Sequence, residues 1–305
     1  MQTAIDLFAG MGGNTEGARM AGIRTLWAAN HWRIATDTHA ANHPDTEHSC
    51  QDLHQADWRH VPQHDLLMAS PACTGHTPAR GKERPHHDAA RSTAWAVVSA
   101  AEYHQPPAFL VENVPAFAGW ALYPAWCAAM TALGYALSPI IIDAADCGVP
   151  QHRKRLFIVG TRSRHPIELR PERRPPCPAA SFIDFDAGKW TPVDRSGRSL
   201  KTLARVRSGR AAFGDRFVMP YYGSGSGLTG RSIDRPIGTI TTRARWAVVD
   251  GDRMRMLTTH ESTLAMGFPA SYRLPENDRL AIFMLGNANP PPMARTVIDA
   301  IRKAA

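Results

Sequence analysis

Cysteine is scarce in this chain, and long apolar runs are missing. Among 305 residues there are five cysteines, Cys50, Cys73, Cys127, Cys147 and Cys177. Their number is odd, their spacing is wide and no C-x-x-C occurs, which excludes a disulfide framework and a cysteine-built zinc site. Histidine is more plentiful. Adjacent side chains such as His86 and His87 in a polar stretch do not converge on one ion, however, so no metal is expected. No apolar stretch approaches the roughly 18–20 residues that span a bilayer. The opening MQTAIDLFAG lacks the basic-then-apolar pattern of a secretory leader. No membrane partner is expected, and the expected compartment is the cytoplasm.

Acidic residues run short in only one region. The net charge is +8, and residues 161–235 alone carry fifteen Lys/Arg against seven Asp/Glu, so the rest of the chain balances. A concentrated basic segment fits a polyanion such as nucleic acid, with Arg205 and Arg207 among the side chains expected to meet phosphate. A merely solvated, Arg-rich surface has the same composition.

What is present is a regular alternation. TAIDLFA (3–9), IRTLWAA (23–29), HDLLMAS (64–70), PAFLVEN (107–113), YALSPIII (135–142) and RLFIVGT (155–161) read as strands. Helical stretches fall between them at 14–22, 33–42, 91–104 and 123–134. Strands alternating with helices predict an α/β fold, a mostly parallel Rossmann-like sheet with helices on both faces. From 163 to about 232 the alternation weakens into Pro, Arg, Gly and Ser, with no long helix expected, and regularity returns at 235. The division this predicts is 1–162 for a catalytic and cofactor domain and 163–234 for a small irregular domain. Residues 235–305 are expected to return to the first domain, the final helix packing on it.

The chemistry-bearing residues cluster at strand ends. DLFAGMGG (6–13) runs from a strand into a glycine turn, and such turns hold nucleotide-like cofactors at the carboxyl edge of a parallel sheet. Its glycines depart from G-x-G-x-x-G and no Lys or Arg lies near, which favours S-adenosylmethionine, a ligand without phosphates. Cys73 follows the strand at 64–70, at the ligand edge, where a thiolate could act as nucleophile and where an inert buried cysteine is the alternative. Glu112 and Asn113 end another apolar strand, and alone they read as turn or cap residues. Gln151, Arg153 and Arg155 in QHRKR alternate along one face of an extended segment.

DLFAGMGG, SPAC, ENV, QHRKRLFIVG, RPIGTIT and GNANPP follow one another in this order. The chain thereby resembles the C5-cytosine DNA methyltransferases across residues 3–160 and 235–303, with the gap at the family's variable target-recognition domain. The resemblance implies S-adenosylmethionine as methyl donor, with Phe8, Gly10, Gly12 and Gly13 around it, Asp52 on its adenine, Asn287 in its pocket and His31 where the family places a ribose-binding glutamate. It implies that Cys73 is the nucleophile toward C6 of a flipped cytosine, that Glu112 acts at N3, and that Arg153 and Arg155 lie near the base. Double-stranded DNA is the implied partner, with a restriction endonuclease of the same specificity as a candidate second one, and a monomer is the expected state.

This sequence departs from the family pattern at Thr74, where glutamine is usual after the cysteine, at His31, and at Asn289, where valine is usual. A tRNA-directed cytosine methyltransferase and a catalytically silent nucleic-acid-binding homologue are the competing readings. The joint presence of Cys73, Glu112, Arg153 and Arg155 argues against the silent one.

Overall fold

The computed structural model describes residues 1–72, 92–221 and 230–304. Cys73, Thr74, His86 and His87 lie outside the described residues. The chain forms two compact units, one of Met1–Asp143, Lys154–Arg173 and Ala288–Ala305, the other of Ala144–Arg153 and Arg174–Asn287.

The first unit is built on seven strands. They are β1 (Thr3–Leu7), β2 (Arg24–Asn30), β3 (Glu47–Cys50), β4 (Leu66–Ala69), β5 (Ala108–Asn113), β6 (Ala136–Asp143) and β7 (Lys154–Thr161), in the order β3-β2-β1-β4-β5-β7-β6. β1 to β5 run parallel, and β7 is antiparallel to both β5 and β6. Every residue of β4 and β5 is buried, as expected of central strands covered on both faces. β6 is an edge strand, which is why it tolerates Pro139 and leaves Ile141 56% exposed.

Helices α1 (Gly13–Met20), α2 (Arg33–Asn42), α3 (Ala94–His104) and α4 (Tyr123–Ala132) connect the strands. Beneath α3 and α4 lies an aromatic cluster in which Phe109 meets Tyr135 edge-on at 5.0 Å and Trp126 at 6.3 Å. The buried Trp126 indole donates to the Ala94 carbonyl at 2.9 Å, so burial leaves its N–H satisfied.

The second unit holds an antiparallel sheet of β8 (Thr191–Pro192), β9 (Arg216–Pro220), β10 (Arg231–Ser232), β11 (Trp246–Asp250) and β12 (Arg253–Met256), ordered β10-β9-β11-β12-β8. Helix α5 (Leu200–Phe213) covers it, against the expectation that this region lacks a long helix. Ser199 caps α5 by accepting from the Thr202 N–H, and Gly214 at φ 78° ends it. Val206 packs with Phe217, Met219, Ala247, Val249 and Met254, and Gly209 is glycine because a Cβ there would strike the Phe217 ring at 2.3 Å.

Helices α6 (Thr259–Ala265) and α7 (Asp278–Asn287) follow. Arg255 and Glu261, both fully buried, pair at 2.7 Å, and Glu261 also closes a capping box with Thr258 at the start of α6. Residues 235–287 are compact with this second unit because β11 and β12 extend its sheet from β9. Only the last segment, α8 (Pro291–Ala304), returns to the first unit, where it packs on α1. Gly17 permits that contact, since a Cβ on it would lie 2.6 Å from both the Pro291 carbonyl oxygen and the Ala294 Cβ. Among the described residues no helix is long and apolar enough to cross a membrane.

Candidate active site

In the first unit the carboxyl ends of adjacent strands share one edge. Leu7 is in register with Ala29 on one side and Ala69 on the other, and Ala69 with Val111. Phe8, Ser70 and Glu112 therefore follow one another along that edge. Arg155 joins them from the start of the antiparallel β7, where Leu156 pairs with Asn113.

The turn after β1 has an unusual backbone. Phe8 takes φ 57°, Gly10 φ 56° and Gly12 φ 99°. A left-handed phenylalanine is costly, of order 1–3 kcal/mol, and persists only where its surroundings fix it. The Phe8 carbonyl–amide turn is held on one side by the Ala9 N–H, which donates to the Ala29 carbonyl at 3.0 Å. A Cβ added at Gly10 would meet nothing within 4 Å, so the turn leaves open space there. Gly13 differs from the other turn glycines. A Cβ on it would lie 2.1 Å from the Asn289 carbonyl oxygen, so packing against the lead-in to α8 accounts for this glycine.

His31 and Asp52 follow the ends of β2 and β3, both exposed, and the Cys50 thiol contacts the His31 carbonyl at 3.7 Å. Asp52 caps a short 3-10 turn, accepting from the His54 N–H at 3.0 Å. Open space at a glycine turn, flanked by an imidazole and a carboxylate on the next two strands, fits the adenosyl part of S-adenosylmethionine, whose hydroxyls and adenine amino group need such partners. Asn287 ends α7 in the second unit and is exposed.

The catalytic half is better tied down. Glu112 is 7% exposed, and its Oε1 accepts from Arg155 Nε at 2.9 Å. Arg155 also donates from Nη1 to the Lys154 carbonyl at 2.8 Å, which fixes the guanidinium plane. Three side chains hold the run into Cys73 at successive residues. Asn14 Nδ2 donates to Ser70 Oγ at 3.0 Å, Asn113 Nδ2 to the Pro71 carbonyl at 3.0 Å, and the Ala72 N–H to Thr93 Oγ1 at 3.0 Å. Asn113 Oδ1 in turn accepts from the Val114 N–H at 2.9 Å. The chain is thus anchored up to the residue before Cys73.

Arg153 has other partners than Arg155. It is 1% exposed and belongs to the second unit, where Nη1 donates to the Ile240 carbonyl at 2.8 Å and Nη2 to the Gly286 carbonyl at 2.7 Å. The alternation of QHRKR breaks because β7 pairing begins only at Lys154. Gln151 has a similar part. It bridges the Ala265 carbonyl, at 2.8 Å from Nε2, and the Ile240 N–H, at 3.0 Å from Oε1. Both residues join RPIGTIT to distant parts of the second unit.

Sequence reading overlooked Asn14, Ser70 and Thr93. It also overlooked a buried string in which Thr15 Oγ1 donates to Asp6 Oδ2 at 2.8 Å, His39 Nε2 meets Thr15 Oγ1 at 3.0 Å and His48 Nε2 meets His39 Nδ1 at 2.8 Å. Burial pushes the Asp6 carboxyl up to about 7, against hydrogen bonds from Thr15 and Asn14 that pull it down. For Asn14 and Thr15 the signal was a polar side chain at the start of α1, directly after the glycines.

Comparison with known proteins agrees with this geometry. Residues 2–186 and 193–303 match the family described as C-5 cytosine-specific DNA methylase. The Type II methyltransferase M.AgeI of Thalassovita gelatinovora is 36% identical over 176 residues, 54% of this chain and 40% of that one. M.HgiDI of Herpetosiphon aurantiacus is 29% identical, covering 95% of this chain and 91% of its own. The fold is shared with Spodoptera frugiperda DNMT2, at a TM-score of 0.75 and 16% identity over 99% of this chain and 100% of that one. This chain belongs to the C-5 cytosine-specific DNA methylase family.

Proposed function

We propose that the protein is a DNA cytosine-C5 methyltransferase of the Type II kind that its relatives' names describe. The observation that carries this reading is the Glu112–Arg155 pair at the edge where Ser70, Pro71 and Ala72 are pinned ahead of Cys73.

C5 of cytosine is a poor nucleophile. Addition of the Cys73 thiolate to C6 makes a C–S bond and moves the ring electrons toward C5 and N3. Glu112 meets the charge that builds at N3 as proton donor or hydrogen-bond partner, and Arg155 holds that carboxyl in place and reaches the O2 side. S-adenosylmethionine, when bound by the Phe8–Gly12 turn with His31 and Asp52, supplies an electrophilic methyl group for C5. Loss of the C5 proton to a base then lets Cys73 leave by elimination. Arg153 supports the reaction from a distance, by fixing the segments that its guanidinium joins. The target must be swung out of the duplex for a thiol to reach C6.

The second unit is the target-recognition part on this reading, with 174–234 as its variable segment, since residues 163–173 of the stretch expected from sequence are compact with the first unit. Arg207 and Lys201 on α5 are exposed and available to phosphate, whereas Arg205 donates to the Pro220 carbonyl. A restriction endonuclease of the same specificity is the companion that a Type II role calls for.

Bisulfite sequencing of DNA from cells expressing the protein is expected to show 5-methylcytosine at one short sequence. Cys73→Ala is expected to abolish it while duplex binding persists. Full methylation by that variant would end the assignment of the nucleophile. Methylation of tRNA in preference to duplex DNA in direct competition would redirect the substrate.

A further inference from the structure

Asp6, Thr15 and His39 are buried, and His48 on β3 is half-buried. Asp6 lies on β1 two residues before Phe8, and its carboxyl is also bonded by the Asn14 side chain and the Thr15 backbone. It therefore ties together the two ends of the glycine turn. From it the string runs outward through Thr15 Oγ1, both ring nitrogens of His39 and Nε2 of His48, with every link 3.0 Å or shorter.

A hydroxyl and a neutral imidazole each offer one donor and one acceptor to such a string. Two orders of the same bonds therefore exist. With Asp6 ionised, His48 donates to His39, His39 to Thr15 and Thr15 to Asp6. With Asp6 protonated on Oδ2, all three bonds reverse and none is lost. The charged and titratable neighbours are few. Burial first, and Glu112 last, push the Asp6 carboxyl up to about 7, against the bonds from Thr15 and Asn14. His39 faces His43, which in turn faces Glu16 and Arg19. Burial lowers His48 below its usual value, with a bond to the Thr46 backbone opposing, so an excess proton that reaches this ring passes on to solvent.

We propose that Thr15, His39 and His48 are a proton relay serving Asp6, and that the sulfonium of S-adenosylmethionine, on binding at the Phe8–Gly12 turn, drives the Asp6 proton out along it. The proton on Asp6 Oδ2 moves to Thr15 Oγ1, the Thr15 proton to His39 Nε2, and the His39 Nδ1 proton to His48 Nε2. His48 then sheds one proton to solvent, and the only new charge left in the protein is the Asp6 carboxylate. A buried carboxylate attracts a nearby cation more than a neutral ligand, so the turn in this state favours the methyl donor over the uncharged thioether S-adenosylhomocysteine. The proposal rests on the S-adenosylmethionine reading of the turn.

Calorimetry of the full chain at pH 7, in two buffers of different ionisation enthalpy, counts the protons released on binding. S-adenosylmethionine is expected to release about half a proton more than S-adenosylhomocysteine, since Asp6 is about half protonated there. Asp6→Asn is expected to erase that difference. Stopped-flow mixing with a pH indicator is expected to show wild-type release in step with the binding change in intrinsic fluorescence. His39→Gln keeps a donor and an acceptor but passes no proton, so its release is expected to lag about tenfold or more behind binding, waiting on local opening. His48→Gln cuts the string at its outer end and is expected to show the same lag, which serves if His39→Gln does not fold. Equal release with the two ligands, or a difference that survives Asp6→Asn, would overturn the proposal, as would release in step with binding in a folded relay variant. A folded wild type that binds neither ligand would overturn the cofactor reading, and the proposal with it.

Discussion

Acid is expected to start destabilising this protein above the range where carboxylates titrate, because several histidines are buried in neutral form. His43 is pushed down to about 4 by burial, helped by the charge of Arg19 and opposed by Glu16. His64 is pushed to about 4 by burial, with the Pro62 carbonyl opposing. His39 lies well below its usual value, first from burial and then from His43 and His48. For each, the unfolded chain takes up a proton below about 6.5 and the folded chain resists until lower pH, so stability is lost as pH falls through that window.

For His43 and for His64 the full window is worth about 3 kcal/mol, at 1.36 kcal/mol per pH unit. His39 acts in the same sense. Asp6 opposes them. Its folded value of about 7 against 3.8 means that the folded chain binds the proton first, so acidification from 7 toward 3.8 returns up to about 4 kcal/mol. The histidines outweigh it below 6.5, and between 6.5 and 7 only Asp6 acts, so stability is expected to peak near pH 6.5. His43 and His64 less Asp6 leave a net loss of about 2 kcal/mol by pH 4, to which His39 adds, against the 5–15 kcal/mol that holds a typical domain. Urea midpoints of the full chain between pH 4.5 and 8 measure the curve, and Asp6→Asn should steepen its acid side. A midpoint that stays flat or rises between pH 6.5 and 5 would refute the reasoning.

Other outcomes follow from single contacts. Glu112→Gln is expected to cut methyl transfer by about two orders of magnitude or more with duplex binding retained, and a gel-shift beside a methylation assay checks both. Gly13→Ala should destabilise by roughly 1–3 kcal/mol, because its Cβ would meet backbone at 2.1 Å, and a thermal melt reads the loss. Gly10→Ala has open space but a φ of 56°, so it should show a smaller melt shift together with weaker cofactor binding by calorimetry. Lys201→Glu with Arg207→Glu should flatten the salt dependence of DNA binding, whereas Arg205→Glu should lower the melting temperature instead, since it breaks the bond to Pro220.

The first sheet was legible where its strands are short apolar runs between turns, as the fully buried β4 and β5 are, whereas the short polar β3 (EHSC) was not expected. The strands expected at 135–142 and 155–161 lie within one residue of β6 and β7. Helix α5 was not legible. Only Thr202, Val206 and Gly209 face its interior, and one threonine, one valine and one glycine make no apolar stripe. Its ends were written more plainly than its middle, in Ser199 and Gly214. The second sheet escaped for a related reason, as β8 and β10 are two residues each and carry no period. Arg153 and Arg155 share a face in an ideal extended chain, and the structure separates them because pairing starts between them, which is a property of register and not of spacing.

The site itself divides along the same line. Residue types were readable there: a thiol, a carboxyl and a guanidinium at strand ends, and glycines at a turn. Direction was not. The first turn of α1 starts two polar strings that both meet Asp6, Asn14 bonding Ser70 as well and Thr15 meeting His39, and each depends on which atom donates. Hydrophobic periodicity constrains where a side chain sits to within a face, while a buried amide or hydroxyl must also face the right way, at a penalty of about 1–3 kcal/mol when it does not.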